Sequence, residues 1–166
     1  MTTGDAELAS GGRDYAGAIY GSLLAGSVVA GTSPADSAPK PALLAILLLA
    51  TGLVFWLAHV YAQLFGGAHP PDHLNWRTIR RVAQRERPIA EAVIPPAAAA
   101  MVGVLLGLSD TSTAWLALSV AVAGQVGWAM VAAVANGAKP WIIALSAVVN
   151  LALGLILVVL KALLSH

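Results

Sequence analysis

The sequence predicts an all-α integral membrane protein with about five transmembrane helices and one amphipathic interfacial helix. Two observations carry this. Charged residues make up 10% of the 166-residue chain and hydrophobic ones 58%, whereas an ordinary soluble domain is about 25% charged. The charges are also clustered, leaving long uncharged runs. A charge at the bilayer centre costs roughly 2.5–3.5 kcal/mol, so the charge-free intervals mark the spans. A soluble fold of this composition would have too few polar side chains to cover its surface, and lipid removes that requirement.

Residues 1–14 read as a polar tail. Asp5 and Glu7 stand there without a basic stretch before an apolar one, so no cleavable signal peptide is expected. Residues 15–166 then form a single helical bundle. The first span is 15–30, the shortest, between Asp14 and Asp36, and it carries the small-residue pair Gly17/Gly21. Pro34, Pro39 and Pro41 mark a loop. The second span, 42–65, is the most hydrophobic and ends at Gly66-Gly67. The third is 89–108, with Glu91 at its start and a second small-residue pair, Gly103/Gly107. Pro95-Pro96 must kink it or break its hydrogen-bond ladder. Ser109-Asp110-Thr111-Ser112-Thr113 offers capping side chains, and the fourth span follows at 113–135. Asn136-Gly137-Ala138-Lys139-Pro140 reads as a turn, and the fifth span is 141–164, with Lys161 near its end. Each is close to the roughly 20 residues needed to cross the hydrocarbon core.

Lysine and arginine set the orientation. Arg77, Arg80, Arg81, Arg85 and Arg87 all lie between the second and third spans, so that connection should be cytoplasmic. Arg13 and Lys139 then fall inside, Lys40 and Lys161 outside. The N-terminus is cytoplasmic and the C-terminus external.

The same connection holds an element of its own, 73–87, with Asp72 as the expected N-cap. Trp76, Ile79, Val82 and Ala83 fall on one helical face, and Arg77, Arg80, Arg81, Gln84 and Arg85 on the other. Such a helix belongs in the inner headgroup region, with Arg77, Arg80, Arg81 and Arg85 against anionic lipid. The bland role is surface anchor and topology signal; the alternative is a dock for an acidic partner. Nucleic acid is not expected as a partner, because the net charge is +1 and lipid already accounts for the arginines. His69-Pro70-Pro71-Asp72-His73 invites a metal hypothesis, but its spacing fits no standard zinc pattern and no metal is expected.

Polar side chains inside the spans point most directly to function, since lipid penalises them. Gly52, Trp56, His59 and Gln63 share a face of the second span, with Leu53, Val60 and Leu64 opposite. Trp56, His59, Gln63 and Glu91 form a candidate polar intramembrane site. Its plain interpretation is a neutral imidazole hydrogen-bonded across a helix interface, to Gln63 or to a carbonyl freed at Pro96. Gln125 and Asn150 lie halfway along two spans joined by a tight turn, so they should meet as a packing pair. The chain has no cysteine. It also lacks a Gly-rich phosphate loop, an HExxH and a Gly-x-Ser-x-Gly, so no catalytic residue and no cofactor are predicted.

The runs Asp14-Tyr15-Ala16-Gly17-Ala18-Ile19-Tyr20-Gly21-Ser22, Trp56-Leu57-Ala58-His59-Val60-Tyr61 and Leu160-Lys161-Ala162-Leu163-Leu164-Ser165-His166 resemble a set of small polytopic membrane proteins of actinobacteria. The resemblance implies a bacterial plasma membrane and supplies no activity. The expected function is a non-enzymatic accessory, assembly or self-associating bundle, whose partner is a second copy or another membrane protein. The alternative is a small oligomeric channel or facilitator using the His59/Gln63/Glu91 region. An enzyme is least supported, because only His59 and Glu91 could do acid–base work and no nucleophile accompanies them.

Overall fold

The computed structural model describes residues 15–32, 39–66 and 75–164, and all its regular elements are helices. They are α1 (Tyr15–Gly31), α2 (Pro41–Phe65), α3 (Trp76–Arg85), α4 (Arg87–Glu91), α5 (Ile94–Leu105), α6 (Asp110–Ala135) and α7 (Pro140–Leu164). Among the described residues, four stretches are long and apolar enough to cross a membrane: Pro41–Phe65, Arg87–Leu105, Asp110–Ala135 and Pro140–Leu164. α1 is apolar too but has 17 residues, about 26 Å of helix against a hydrocarbon core of about 30 Å.

Helix ends follow the local chemistry. Pro41 and Pro140 open α2 and α7, where a missing N–H costs nothing. Ser109 caps α6 by accepting from the Ser112 N–H at 3.1 Å, so the helix begins at Asp110, three residues before the expected start. Gly107 and Gly137 end α5 and α6 with φ of +65° and +66°. The Leu108 and Ala138 N–H groups reach back to the Gly103 and Ala133 carbonyls, both at 3.0 Å, closing a Schellman turn that a Cβ would strain.

The third stretch is broken at Ala92-Val93, one turn before the prolines, because Pro95 and Pro96 have no N–H to give the Glu91 and Ala92 carbonyls. Pro95 and Pro96 sit in the first turn of α5, which tolerates them. The Ala92 N–H closes α4 on the Pro88 carbonyl at 3.1 Å, and the Ala97 N–H resumes the ladder on the Val93 carbonyl at 3.1 Å.

The helices run alternately up and down. Tyr15 stacks near Trp128, Gly124 faces Ser22, and Gly26 faces Leu118, Ala121 and Leu157, so α1 lies antiparallel to α6 along its length. Gln125 meets Asn150, Gly154 meets Val122, and Lys161 lies over Trp115, which sets α7 antiparallel to α6. At the opposite flank Gly52 receives Val93, where the break lets α2 approach. The centre is an apolar cluster of Ala25, Val29, Leu44, Leu48, Val93, Ala97, Ala100, Ala114, Ala117, Leu118, Ala121 and Leu157. α7 closes the bundle from outside and buries only Gly154, Leu157 and Lys161.

The small-residue pairs divide. Gly17 and Gly21 both serve packing against α4: a Cβ on Gly17 would come within 3.1 Å of Ile89 Cγ1, and one on Gly21 within 2.5 Å of the Ile89 carbonyl oxygen. Gly103 packs on Thr113, while its neighbour Gly107 faces open space and works as a helix terminator. The second pair is therefore not a packing motif.

Candidate functional site

The four residues Trp56, His59, Gln63 and Glu91 are not joined to one another by any hydrogen bond or ion pair. Each is occupied separately or faces outward. The Trp56 indole N–H donates to the Ala83 carbonyl of α3 at 2.9 Å. That carbonyl belongs to the last turn of α3, where helix geometry leaves it without an N–H of its own. The side chain therefore caps one helix from another and ties α3 to α2.

His59 is half-buried, with Nδ1 3.0 Å from the Phe55 carbonyl one turn earlier in the same helix. The expected partners, Gln63 and a carbonyl freed at Pro96, are not the ones found. Because a carbonyl can only accept, Nδ1 carries the N–H that donates to Phe55. The imidazole lies 5.4 Å from the Tyr20 ring, which in turn meets Phe55 edge-on at 6.3 Å. Tyr20, Phe55 and His59 thus make an aromatic group between α1 and α2.

The assignment of faces on α2 needs correction. Gly52 is buried and Leu53 exposed, but Gln63 is exposed while Val60 and Leu64 are buried at 8% and 7% exposure. The protected row steps through Leu44, Leu48, Gly52, Trp56, Val60 and Leu64. A step of four residues turns about 40° past a full circle, so the protected face rotates down the helix. α3 and α4 pack on this half of α2 and draw the row toward themselves.

Glu91 pairs with Arg87 one turn away, Arg87 Nε to Glu91 Oε1 at 2.5 Å, both side chains exposed. A pair of this kind contributes about 0.3–0.5 kcal/mol. No hydrogen bond or ion pair joins Glu91 to His59.

Gln125 and Asn150 do come together. Gln125 is 1% exposed, and its Nε2 donates to both the Oδ1 and the backbone carbonyl of Asn150, each at 3.3 Å. Asn150 Nδ2 donates to the Ser146 carbonyl at 2.9 Å. Gln125 Oε1 is buried without a partner, as is the Thr113 hydroxyl against Gly103.

The surface helix is shorter than expected and capped differently. Asn75, not Asp72, is its N-cap, accepting from the Thr78 N–H at 2.8 Å. It ends at Arg85, and Arg87 starts α4. Arg77, Arg80, Arg81, Gln84 and Arg85 are exposed; Thr78, Ile79, Val82 and Ala83 are half-buried. Trp76, grouped with Ile79 by periodicity, is 73% exposed. The residues around His69–His73, including Asp72, lie outside the described residues, as do 1–14 and His166. Among the described residues no three His, Asp or Glu side chains converge on a metal position.

Lys161 was not anticipated as an interior group. It is 2% exposed, with Nζ 5.4 Å from the centre of the Trp115 ring. The long stem buries along the bundle while the ammonium rests on the indole face. Its place seven residues after Gly154 and four after Leu157 is the available sequence signal, since these share one helical face.

The chain matches no family model, no curated protein and no solved structure.

Proposed function

We propose that this chain is a five-span plasma-membrane bundle that acts without catalysis, as an accessory or assembly protein associating with itself or with another membrane protein. The observation that carries the reading is the filled apolar centre. Val29, Leu44, Leu48, Val93, Leu118 and the alanines between them occupy the axis where a conducting or reacting site would need polar groups. Several polar side chains of the spans are engaged locally, as at His59–Phe55, Trp56–Ala83 and Gln125–Asn150.

The fifth crossing in this proposal is α1. It is short, but it runs antiparallel to α6 from Tyr15 opposite Trp128 to Gly26 opposite Leu118, and modest mismatch is met by tilt or local thinning. The arginines of α3 and α4 support a cytoplasmic side for that end of the bundle. The N-terminus is then inside and the C-terminus outside.

Purification in mild detergent followed by native mass spectrometry tests the function. The expected result is a homo-oligomer or a stoichiometric complex with a membrane protein, and no selective flux after reconstitution into vesicles. Selective ion or solute flux that disappears in His59→Ala would overturn the reading in favour of the channel.

A further inference from the structure

We propose that the outward face of α3 is a docking surface for the bilayer's anionic phospholipids, with Arg77, Arg80 and Arg81 receiving their phosphate groups. This rests on the membrane placement above and adds the partner of one element. The starting point is how firmly that face is aimed. Asn75 caps one end of α3 through the Thr78 N–H, and Trp56 caps the other through the Ala83 carbonyl. Thr78, Ile79, Val82 and Ala83 are half-buried on the inner side, so the exposed Arg77, Arg80, Arg81 and Gln84 share the opposite side. The helix cannot roll without breaking the Trp56 bond.

The depth of α3 follows from α2. Trp56 lies 16 residues after Lys40, about 24 Å along the helix axis. A hydrocarbon core is about 30 Å thick, so with Lys40 at one boundary Trp56 approaches the other. Tyr20, Phe55 and His59 gather at the same level, as amphipathic rings do at a headgroup boundary. α3 touches this level directly. Trp76, 73% exposed at the edge of the arginine face, presents an indole to the same layer.

Charge selects the occupant. Arg87 is matched by Glu91, whereas among the described residues Arg77, Arg80 and Arg81 have no acidic side chain in ion-pair contact. Guanidinium groups bind phosphate through two parallel N–H bonds. Every phospholipid offers a phosphate, but only anionic ones lack a compensating cation, so the preference should be for net negative lipid.

The test uses the full-length protein in vesicles of phosphatidylcholine and phosphatidylglycerol, with one or the other lipid brominated. Quenching of Trp76 is read as the difference between the native chain and Trp76→Phe. Brominated phosphatidylglycerol should quench Trp76 more than brominated phosphatidylcholine. Each arginine should multiply the preference by up to about fivefold. The preference should shrink on going from about 0.1 M to 1 M salt, as the screening length falls from about 10 Å to about 3 Å. It should vanish in R77Q/R80Q/R81Q and persist in R77K/R80K/R81K, which keeps the charge and controls for folding. Equal quenching by the two lipids, or a preference indifferent to salt, overturns the proposal while leaving the five-span reading intact. Quenching by neither lipid places α3 away from the bilayer and overturns both.

Discussion

At the scale of single residues, close backbone approach decides more than polar chemistry. Gly21 lets α1 lie against α4 so tightly that a Cβ there would meet the Ile89 carbonyl oxygen at 2.5 Å and Ala92 Cβ at 2.9 Å. Neither obstacle can swing aside. Gly21→Ala should therefore destabilise the bundle by about 1–3 kcal/mol, the usual cost of overpacking. Gly17→Ala meets the flexible Ile89 side chain at 3.1 Å and should cost less, and Gly31→Ala meets nothing within 4 Å and should be neutral. Thermal unfolding in detergent ranks the three, and equal losses at Gly21 and Gly31 would refute the account. The Trp56 bond makes a second prediction at this scale. Trp56→Phe keeps the ring but removes the N–H, leaving the Ala83 carbonyl of α3 without its donor. A loss of about 0.5–1.5 kcal/mol is expected, read as faster hydrogen exchange across 76–85 with little change in α6 and α7. Uniform acceleration throughout the chain would show the bond to be incidental to α3.

At the scale of elements, the pairing of α6 with α7 rests on apolar contact, and its amide bond is minor. Gly154 admits Val122, and Lys161 lies over Trp115. The Gln125–Asn150 bonds are long, at 3.3 Å, and leave Gln125 Oε1 unpartnered. A double-mutant cycle with Gln125→Ala and Asn150→Ala should give a coupling of about 0.6 kcal/mol, and less than about 1.7 kcal/mol. A coupling of zero would mean that the amides only happen to adjoin. The break between α4 and α5 follows the same logic of tolerated polarity. Pro95 and Pro96 lack the N–H groups that would reach the Glu91 and Ala92 carbonyls, so the interruption falls at Ala92-Val93, beside Gly21 and Gly52.

At the scale of the whole molecule, the prediction concerns how many times the chain crosses. The absence of cysteine makes single-cysteine labelling direct. Lys40→Cys and Ser109→Cys should react with an impermeant maleimide added outside. Arg13→Cys, Asn75→Cys and Lys139→Cys should react only after permeabilisation. Reaction of Arg13→Cys from the same side as Lys40→Cys would remove α1 from the spans and leave four. Exposed labelling of Asn75→Cys would invert the entire assignment.

Local chemistry accounts for what could be read from the residues alone. Uncharged runs, capping serine, Gly137 and the paired prolines report costs that each segment meets by itself, so helix existence and most boundaries were legible, to within three residues at Asp110. The equal depth of Gln125 and Asn150 was legible too, because a tight turn between two straight helices fixes their register. What the sequence could not supply was the direction each polar side chain faces. A periodicity places Trp56, His59 and Gln63 together, but it carries no information about which neighbours arrive. α3 meets α2 at Trp56, and on that half of α2 Val60 and Leu64 are buried while Gln63 is left outside. The same packing takes Trp56 for Ala83 and turns His59 onto its own helix, while the short Arg87 pair claims Glu91. Lys161 lies buried with its Nζ over the Trp115 ring across the interface. Helices were set by terms within each segment; the polar partners were set by which faces met, and that depends on contacts between residues far apart in the chain.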